Sequence, residues 1–298
     1  MGNARCARLY NAINGEKFPF PDCAAGSADA HNTINFAKGL SGKITLDSEL
    51  PAIDWPGGVT IDGRKAPITV SGNNVQRVFS VSSGRELTLK NLTVADGNAG
   101  SGGGISNGGT LKVLGSTFSQ NTANNGGGIY NNGTLTVTNS TFSGNSAQTL
   151  GGGIFNNTGA QLTVTNSTFF SNTHGAPERG GGISNGGTAT LKNTIVVGSG
   201  FSTDCSEGIT DGGYNLDDDG SCVSAGTSST ANPKLNPNGL RDNGGPTQTI
   251  ALLKRSPAIN AIPKGANGCG TEITKDQRGV QRPQGSRCDI GAYEKVKK

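Results

Sequence analysis

The chain has 298 residues, 49 of them glycine, with 32% hydrophobic and 15% charged residues and a formal net charge of +4. So thin an apolar fraction ordinarily marks a disordered chain, but disorder comes with high net charge, which is missing here. Scattered Lys and Arg without a run or interleaved aromatics exclude a nucleic-acid surface. No segment approaches 18 apolar residues, so no membrane insertion is expected.

The first element is "RCARLYNAI", a short helix with Leu9 and Ile13 on one face, suited to plug an end. The N-terminus shows no apolar signal-peptide region and the terminal "EKVKK" is no recognisable anchor, as expected of a secreted chain trimmed at both ends. Proximity pairs the six cysteines as Cys6 with Cys23, Cys205 with Cys222 and Cys269 with Cys288, with free buried thiols as the alternative. Three disulfides would place the chain in an oxidising compartment. With no C-x-x-C and two histidines, His31 and His174, zinc is not expected.

The middle of the chain is a repeat. "GGGI" begins at Gly102, Gly126, Gly151 and Gly180, and a core-like apolar residue recurs at Val94, Phe118, Phe142, Phe169 and Val196, spaced 24, 24, 27 and 27 residues. Runs such as "TLTVT" (Thr134 to Thr138) alternate with the period of a half-buried strand. Three strands per repeat are expected, around GGGI, at LTVT and at STFS. Coils stacked in parallel bring equivalent residues into columns about 4.8 Å apart. Ile105, Ile129, Ile154 and Ile183 form one inner column and Phe118, Phe142 and Phe169 another. Asn91, Asn139, Asn166 and Asn193 take the corners, where Asn tolerates left-handed backbone and its amide can donate and accept along the column. Gly115 interrupts that column.

The words "GGGIYNNGTLTVTNSTFSGNSA" (Gly126 to Ala147) resemble the repeat of bacterial surface proteins with a right-handed parallel β-helix, the polymorphic outer-membrane and adhesin-like chains. The resemblance is strong from Leu87 to Val197. "CARLYNAIN" (Cys6 to Asn14) is similar to that family's C-S-L-R-E-A-type N-terminal module, departing from it at Ala7, Arg8 and Tyr10. The segment from Leu240 to Glu294, ending "SRCDIGAYE", resembles its terminal module of the choice-of-anchor type. The resemblance implies an all-β, right-handed parallel β-helix of about ten coils, a rod on the order of 50 Å long. Residues 1–32 form a helical N-terminal cap, 33–225 the coils of 24–29 residues, and 226–298 an irregular, disulfide-bonded cap over the other end.

Parallel β-helices include polysaccharide lyases and hydrolases, which need close carboxylates, a base and often a cation. From Gly97 to Asn172 the one charged residue is Lys112, which argues against a catalytic groove in mid-rod. The repeat breaks in two places. "THGAPERGGG" carries His174, Glu178 and Arg179, and reads as a solvated loop or as the place for catalysis. "TDGGYNLDDDGSC" carries Asp211, Asp217, Asp218 and Asp219 and reads as a polar turn closed by Cys205–Cys222. Its alternate acids also make Asp217, Asp218 and Asp219 calcium candidates, and Asp217 and Asp219 binding candidates. Arg278 and Arg282 could bind an anionic sugar, against a reading as a structural ion-pair network with Asp276 and Asp289.

Asn91, Asn132, Asn139, Asn156 and Asn166 open N-x-[ST] sequons, and Thr136, Thr138, Thr163 and Thr165 form a T-x-T array interrupted by Lys90, Lys112, Leu114 and Lys192. The expected function is that of a structural or adhesin-like surface protein, extracellular or on the cell surface, without a cofactor. Its partners would be glycans or cell-surface proteins. The alternatives are a polysaccharide-active enzyme on acidic glycans and a subunit that stacks end to end.

Overall fold

Alternation decides the first strand of each turn. In Thr134–Thr138, Leu135 and Val137 are buried and the threonines face outward, as a strand with one wet face requires. Left-handed Asn139 (φ 48°) turns the chain into Thr141–Ser143, with Phe142 inside. Gly144 (φ 67°) turns it again into Ser146–Leu150, and three glycines lead on to Ile154–Asn156. The next strand, Gln161–Thr165, then lies parallel to the first, Leu135 against Leu162 and Val137 against Val164.

The computed structural model describes residues 30–36, 40–63, 66–175, 180–200, 203–206, 208–224 and 226–296. The expected N-terminal helix, the Cys6 and Cys23 pair, Glu178 and Arg179 lie outside these. The described turns stack into four parallel sheets, named here for their inward residues. An eight-stranded Leu/Val sheet runs from Asn32–Asn35 to Ile209–Asp211, and an eight-stranded Phe sheet from Gly42–Thr45 to Leu216–Asp217. A four-stranded Ala sheet and a five-stranded Ile sheet complete the wall. The architecture is the expected all-β parallel β-helix, with four strands per full turn instead of three. The glycine triplet causes the difference by separating a strand before it, Thr122–Asn125 or Ser146–Leu150, from the one that starts at the Ile. Gly126 is left-handed (φ 65°), and a Cβ on Gly127 or Gly128 would lie 2.4 or 2.5 Å from a backbone oxygen of the next turn.

The coil count is lower than the ten expected. Eight rungs at 4.8 Å make a rod of roughly 35 Å. After a single parallel bridge from Ser229 to Leu216, the last seventy residues stop winding; the one pair of strands among the described residues there is antiparallel, Ile262–Pro263 with Arg287–Cys288. They lie along the rod, on the outer face of the Phe sheet. There Thr117, Thr141 and Thr168 form an outward column. Thr117 Oγ1 donates to the Gln248 carbonyl at 2.7 Å, Thr141 Oγ1 to Gln277 Oε1 at 2.6 Å, and Thr168 Oγ1 accepts from Ala292 N at 3.0 Å. Further along, Ile195, Val197 and Leu216 join Leu235, Ile250, Leu252, Ile262 and Ile290 in a second apolar core, with the Cys269–Cys288 disulfide in it.

Inside the bore, Phe118, Phe142 and Phe169 stack with centroids 4.6 Å apart and planes within 7°. The Ile column begins at Phe79 and ends at Cys205. Buried amides run beside them. Asn107, Asn131 and Asn156 each donate Nδ2 to the Oδ1 of the next, at 2.7, 2.7 and 2.8 Å, in a ladder that ends at Asn185. Asn121, Asn145 and Asn172 form a second ladder at 2.8 and 2.9 Å. Asn145 also donates to the Phe118 carbonyl and accepts from Asn121 N, so its amide is well satisfied in the interior. The corner column behaves differently. Asn91, Asn139, Asn166 and Asn193 are all left-handed, but only Asn193 to Asn166 (2.7 Å) links side chain to side chain within it. Asn139 turns outward to the Lys275 carbonyl instead, at 2.9 Å.

Replacing Asn131 by Ala leaves buried partners on two turns unmet and is expected to cost about 2 kcal/mol or more, measured by denaturant unfolding. The same change at exposed Asn132 is expected to stay within about 0.5 kcal/mol.

Candidate functional site

Two places on the rod carry organised polar chemistry: the outer face of the Leu/Val sheet and the C-terminal end of the bore.

The strand register places Thr33, Thr60, Thr88, Lys112, Thr136, Thr163, Thr190 and Thr210 in one column. Seven of these eight are threonine because every strand alternates in phase, so a residue type kept at the same place in each turn becomes a row. Near the start His31 Nε2 lies 2.7 Å from Thr60 Oγ1, and Thr60 and Thr88 are buried. From Lys112 onward the column meets solvent, with Lys112, Thr163 and Thr210 exposed and Thr136 and Thr190 half-buried. Lys112 is paired to Glu86 at 2.8 Å. Thr110, Thr134 and Thr188 flank the row on one side, Thr138 and Thr165 on the other. Beyond the adjoining corner the half-buried rings of Tyr130 and Phe155 sit 5.5 Å apart on the outer face of the Ile sheet.

At the end of the bore, Asp217 pairs with Val196 and so takes the next place in the Phe column. It is fully buried. Its Oδ1 accepts from Asp219 N at 3.2 Å and its Oδ2 from Cys222 N at 2.5 Å. Asp204, beside the Cys205 that ends the Ile column, is 1% exposed; its Oδ1 accepts from Ser199 N, while its Oδ2 is buried without a hydrogen-bond donor. One oxygen each of Asp204, Asp217 and exposed Asp218 lies within 4.8 Å of the others. The Cys205–Cys222 disulfide ties together the two segments that bring these groups in.

Burial sets the protonation of this group. It pushes Asp204 up to about 8, helped by the nearby charges of Asp217 and Asp219, and Asp217 up to about 6. Burial works upward on Asp219 too, but hydrogen bonds from Ser221 and others hold it below the usual range. Asp219 shapes the loop by accepting from Asp204 N at 2.7 Å and Ser221 N at 2.8 Å. Asp211 stands apart, surrounded by Gly213, Asn215, Ser224 and Ser228 donors that outweigh its burial and lower its pKa.

The other sequence candidates are dispersed. His174 is in the last strand of the Ala sheet, in register with inward Ala123 and Ala147. Arg282 is fully buried, donating to Glu294 Oε2 at 3.2 Å and to the carbonyls of Asp289 and Gly291. The side chain of Arg278 is 5% exposed, paired with Asp276 at 2.7 Å and lying 3.6 Å above the Tyr293 ring. Both guanidiniums therefore face inward, into the contacts that fold the terminal segment. Asn156 and Asn166 are fully buried, so their sequons are not accessible to a glycan.

Sequence reasoning missed Asp204 and the length of the threonine row. Asp204 stands alone in sequence, 13 residues from Asp217, with nothing in the repeat to flag it. The row was legible in principle, because Thr60, Thr88, Thr136, Thr163 and Thr190 each occupy the centre of an alternating run.

The family model described as "Right handed beta helix region" matches residues 57–245, more than half of the chain. No curated protein and no solved structure matches it.

Two outcomes follow from the buried charges. Folded Asp204 holds a proton that the unfolded chain, with a value near 3.8, has released. Its contribution is therefore complete below that value and lost as pH rises through about 8. In chelator, a denaturation series over this range is expected to show falling stability, with Asp204→Asn flattening the slope. Arg282→Met strands buried Glu294 and is expected to cost about 3–5 kcal/mol by denaturant unfolding.

Proposed function

Because the chain belongs to the right-handed β-helix family, we propose that it is a secreted or cell-surface rod whose flat threonine face binds or spaces, without chemistry of its own. The observation that carries this reading is the open part of the threonine row. It repeats a hydroxyl at the strand spacing of about 4.8 Å on a sheet too regular to rearrange. A rigid row of donors and acceptors suits an extended, hydroxyl-rich partner, because little side-chain freedom is lost when β-branched threonines are engaged. Tyr130 and Phe155 add ring surface beside it, on which the apolar face of a sugar can pack. A glycan of the cell surface or matrix is the partner that fits this chemistry best.

Several features support the setting. The two described disulfides suit an oxidising, extracellular environment. No helix among the described residues is long and apolar enough to cross a membrane. The bacterial-surface part of the reading rests on the resemblance of the repeat and of Leu240 to Glu294. The same holds for the division into a cap at 1–32, coils at 33–225 and a terminal module at 226–298. A polysaccharide-active enzyme would need acid, base and cation on one accessible surface. The carboxyls with raised pKa, Asp204, Asp217, Asp289 and Glu294, are all interior, and His174 belongs to a different sheet from Asp217. Fold alone does not fix function.

Substituting Thr136 and Thr163 together by Arg disrupts the open row without touching the core. Binding on a glycan array is expected to fall at least about tenfold, a loss of about 1.4 kcal/mol, with an unchanged melting temperature. Undiminished binding by the double variant, or unsaturated products released from acidic polysaccharides, would sink this reading.

A further inference from the structure

We infer that Asp204, Asp217 and Asp218 form a site for a hard divalent cation, calcium, at the C-terminal end of the bore.

Calcium binds oxygens at about 2.3–2.6 Å, so two ligands on opposite sides of one ion are separated by about 4.8 Å. The three carboxyl oxygens of Asp204, Asp217 and Asp218 all fall within 4.8 Å of one another. A single ion can therefore touch all three at once.

Asp204 points the same way. Its Oδ2 is buried and meets no hydrogen-bond donor, although its carboxylate partner Oδ1 is bonded to Ser199 N. An ionised oxygen left so in the interior costs several kcal/mol, and natural structures match such groups with a donor, a proton or a metal. It faces the Asp217 carboxylate, so with no cation present the two acids must share a proton, whereas a cation answers both oxygens at once. Asp217 already accepts two backbone N–H bonds but keeps lone pairs on both oxygens.

The donor set selects the ion. All three ligands are carboxylate oxygens, with no imidazole among them, and the nearby Cys205 and Cys222 are consumed in a disulfide. Thiolate and imidazole would favour zinc or copper, whereas oxygen alone favours calcium or magnesium. Magnesium needs near-octahedral ligands at about 2.0–2.1 Å and gives up water reluctantly, so a partly open site with flexible coordination favours calcium. Exposed Asp218 supplies the entry side, with water completing the shell.

The location gives the ion a task. Asp217 ends the strands of the Phe sheet and Asp204 adjoins the end of the Ile column, with only the single bridge from Leu216 to Ser229 beyond them. A cation between them joins the two walls of the last turn, as the disulfide beside it does covalently. The proposal is independent of what the threonine face binds.

Calorimetric titration and thermal unfolding of the full chain, first freed of metal with chelator, test it with calcium chloride against magnesium chloride. One saturable calcium site is expected, with a melting temperature raised by roughly 5 °C at a hundredfold excess over Kd. Asp218→Asn, at an exposed position that leaves folding intact, is expected to weaken calcium binding at least tenfold. Asp204→Asn, similar in size, is expected to remove the calcium response while the protein stays folded. No saturable binding up to about 10 mM calcium, beyond the weakest extracellular sites, would overturn the proposal. So would a calcium response unchanged in Asp218→Asn, whether or not Asp204→Asn folds.

Discussion

Every other feature depends on one constraint: each residue of a turn must tolerate its own counterpart about 4.8 Å above and below. For Phe142 this is an advantage, because a ring on a ring at 4.6 Å leaves no void. For a charged residue it is prohibitive, since like charges would stack in a row. For a buried amide it is self-solving, because Asn offers both a donor and an acceptor along the stacking direction. The Asn107 and Asn121 ladders thus let a chain with few apolar residues build an interior at all. The glycines follow from the same constraint, since a Cβ at Gly127 or Gly128 would meet the next turn's backbone.

The terminal segment shows what happens where stacking stops. After Leu216–Asp217 one parallel bridge at Ser229 remains, and the chain then returns along the outer face of the Phe sheet. The outward threonines there, Thr117, Thr141 and Thr168, become partners of Gln248, Gln277 and Ala292 instead of facing water. The same type of outward row on the Leu/Val sheet stays open from Lys112 onward. One residue pattern therefore serves as internal mortar on one face and as presented surface on another. What differs is the segment that covers it. The buried Arg282–Glu294 pair and the Arg278–Asp276 pair belong to the covering segment, which explains why these basic residues point inward.

The end of the bore combines two ways of finishing a column. The Ile column finishes with a half-cystine, Cys205, which remains apolar, and the Phe column finishes with an acid, Asp217. An acid is admissible here because the segment bridged beyond it, around Ser229, carries no second acid to repel it. It is nevertheless buried, so its charge must be answered by backbone N–H groups, by a proton or by a cation. Burial thus makes this short stretch the part of the rod most sensitive to solution conditions.

The amino-acid sequence by itself determined the strand type and the stacking. Intervals of 24 to 27 residues with in-phase alternation leave few structures other than parallel coils, and the Ile and Phe columns are read directly from them. Short sequence separation likewise paired Cys205 with Cys222 and Cys269 with Cys288. The separate strand ahead of each glycine triplet escaped the sequence, because periodicity does not tell left-handed Gly126 from the closely approached Gly127 and Gly128. The coil count escaped it too, since nothing local tells a degenerate coil from a segment that folds back along the rod. The tertiary structure decided which face is covered, that Asn139 reaches Lys275 instead of its own column, and that Asp204 meets Asp217. Those contacts join residues 13 to 136 positions apart, outside any repeat, and depend on where the chain goes after the stacking ends.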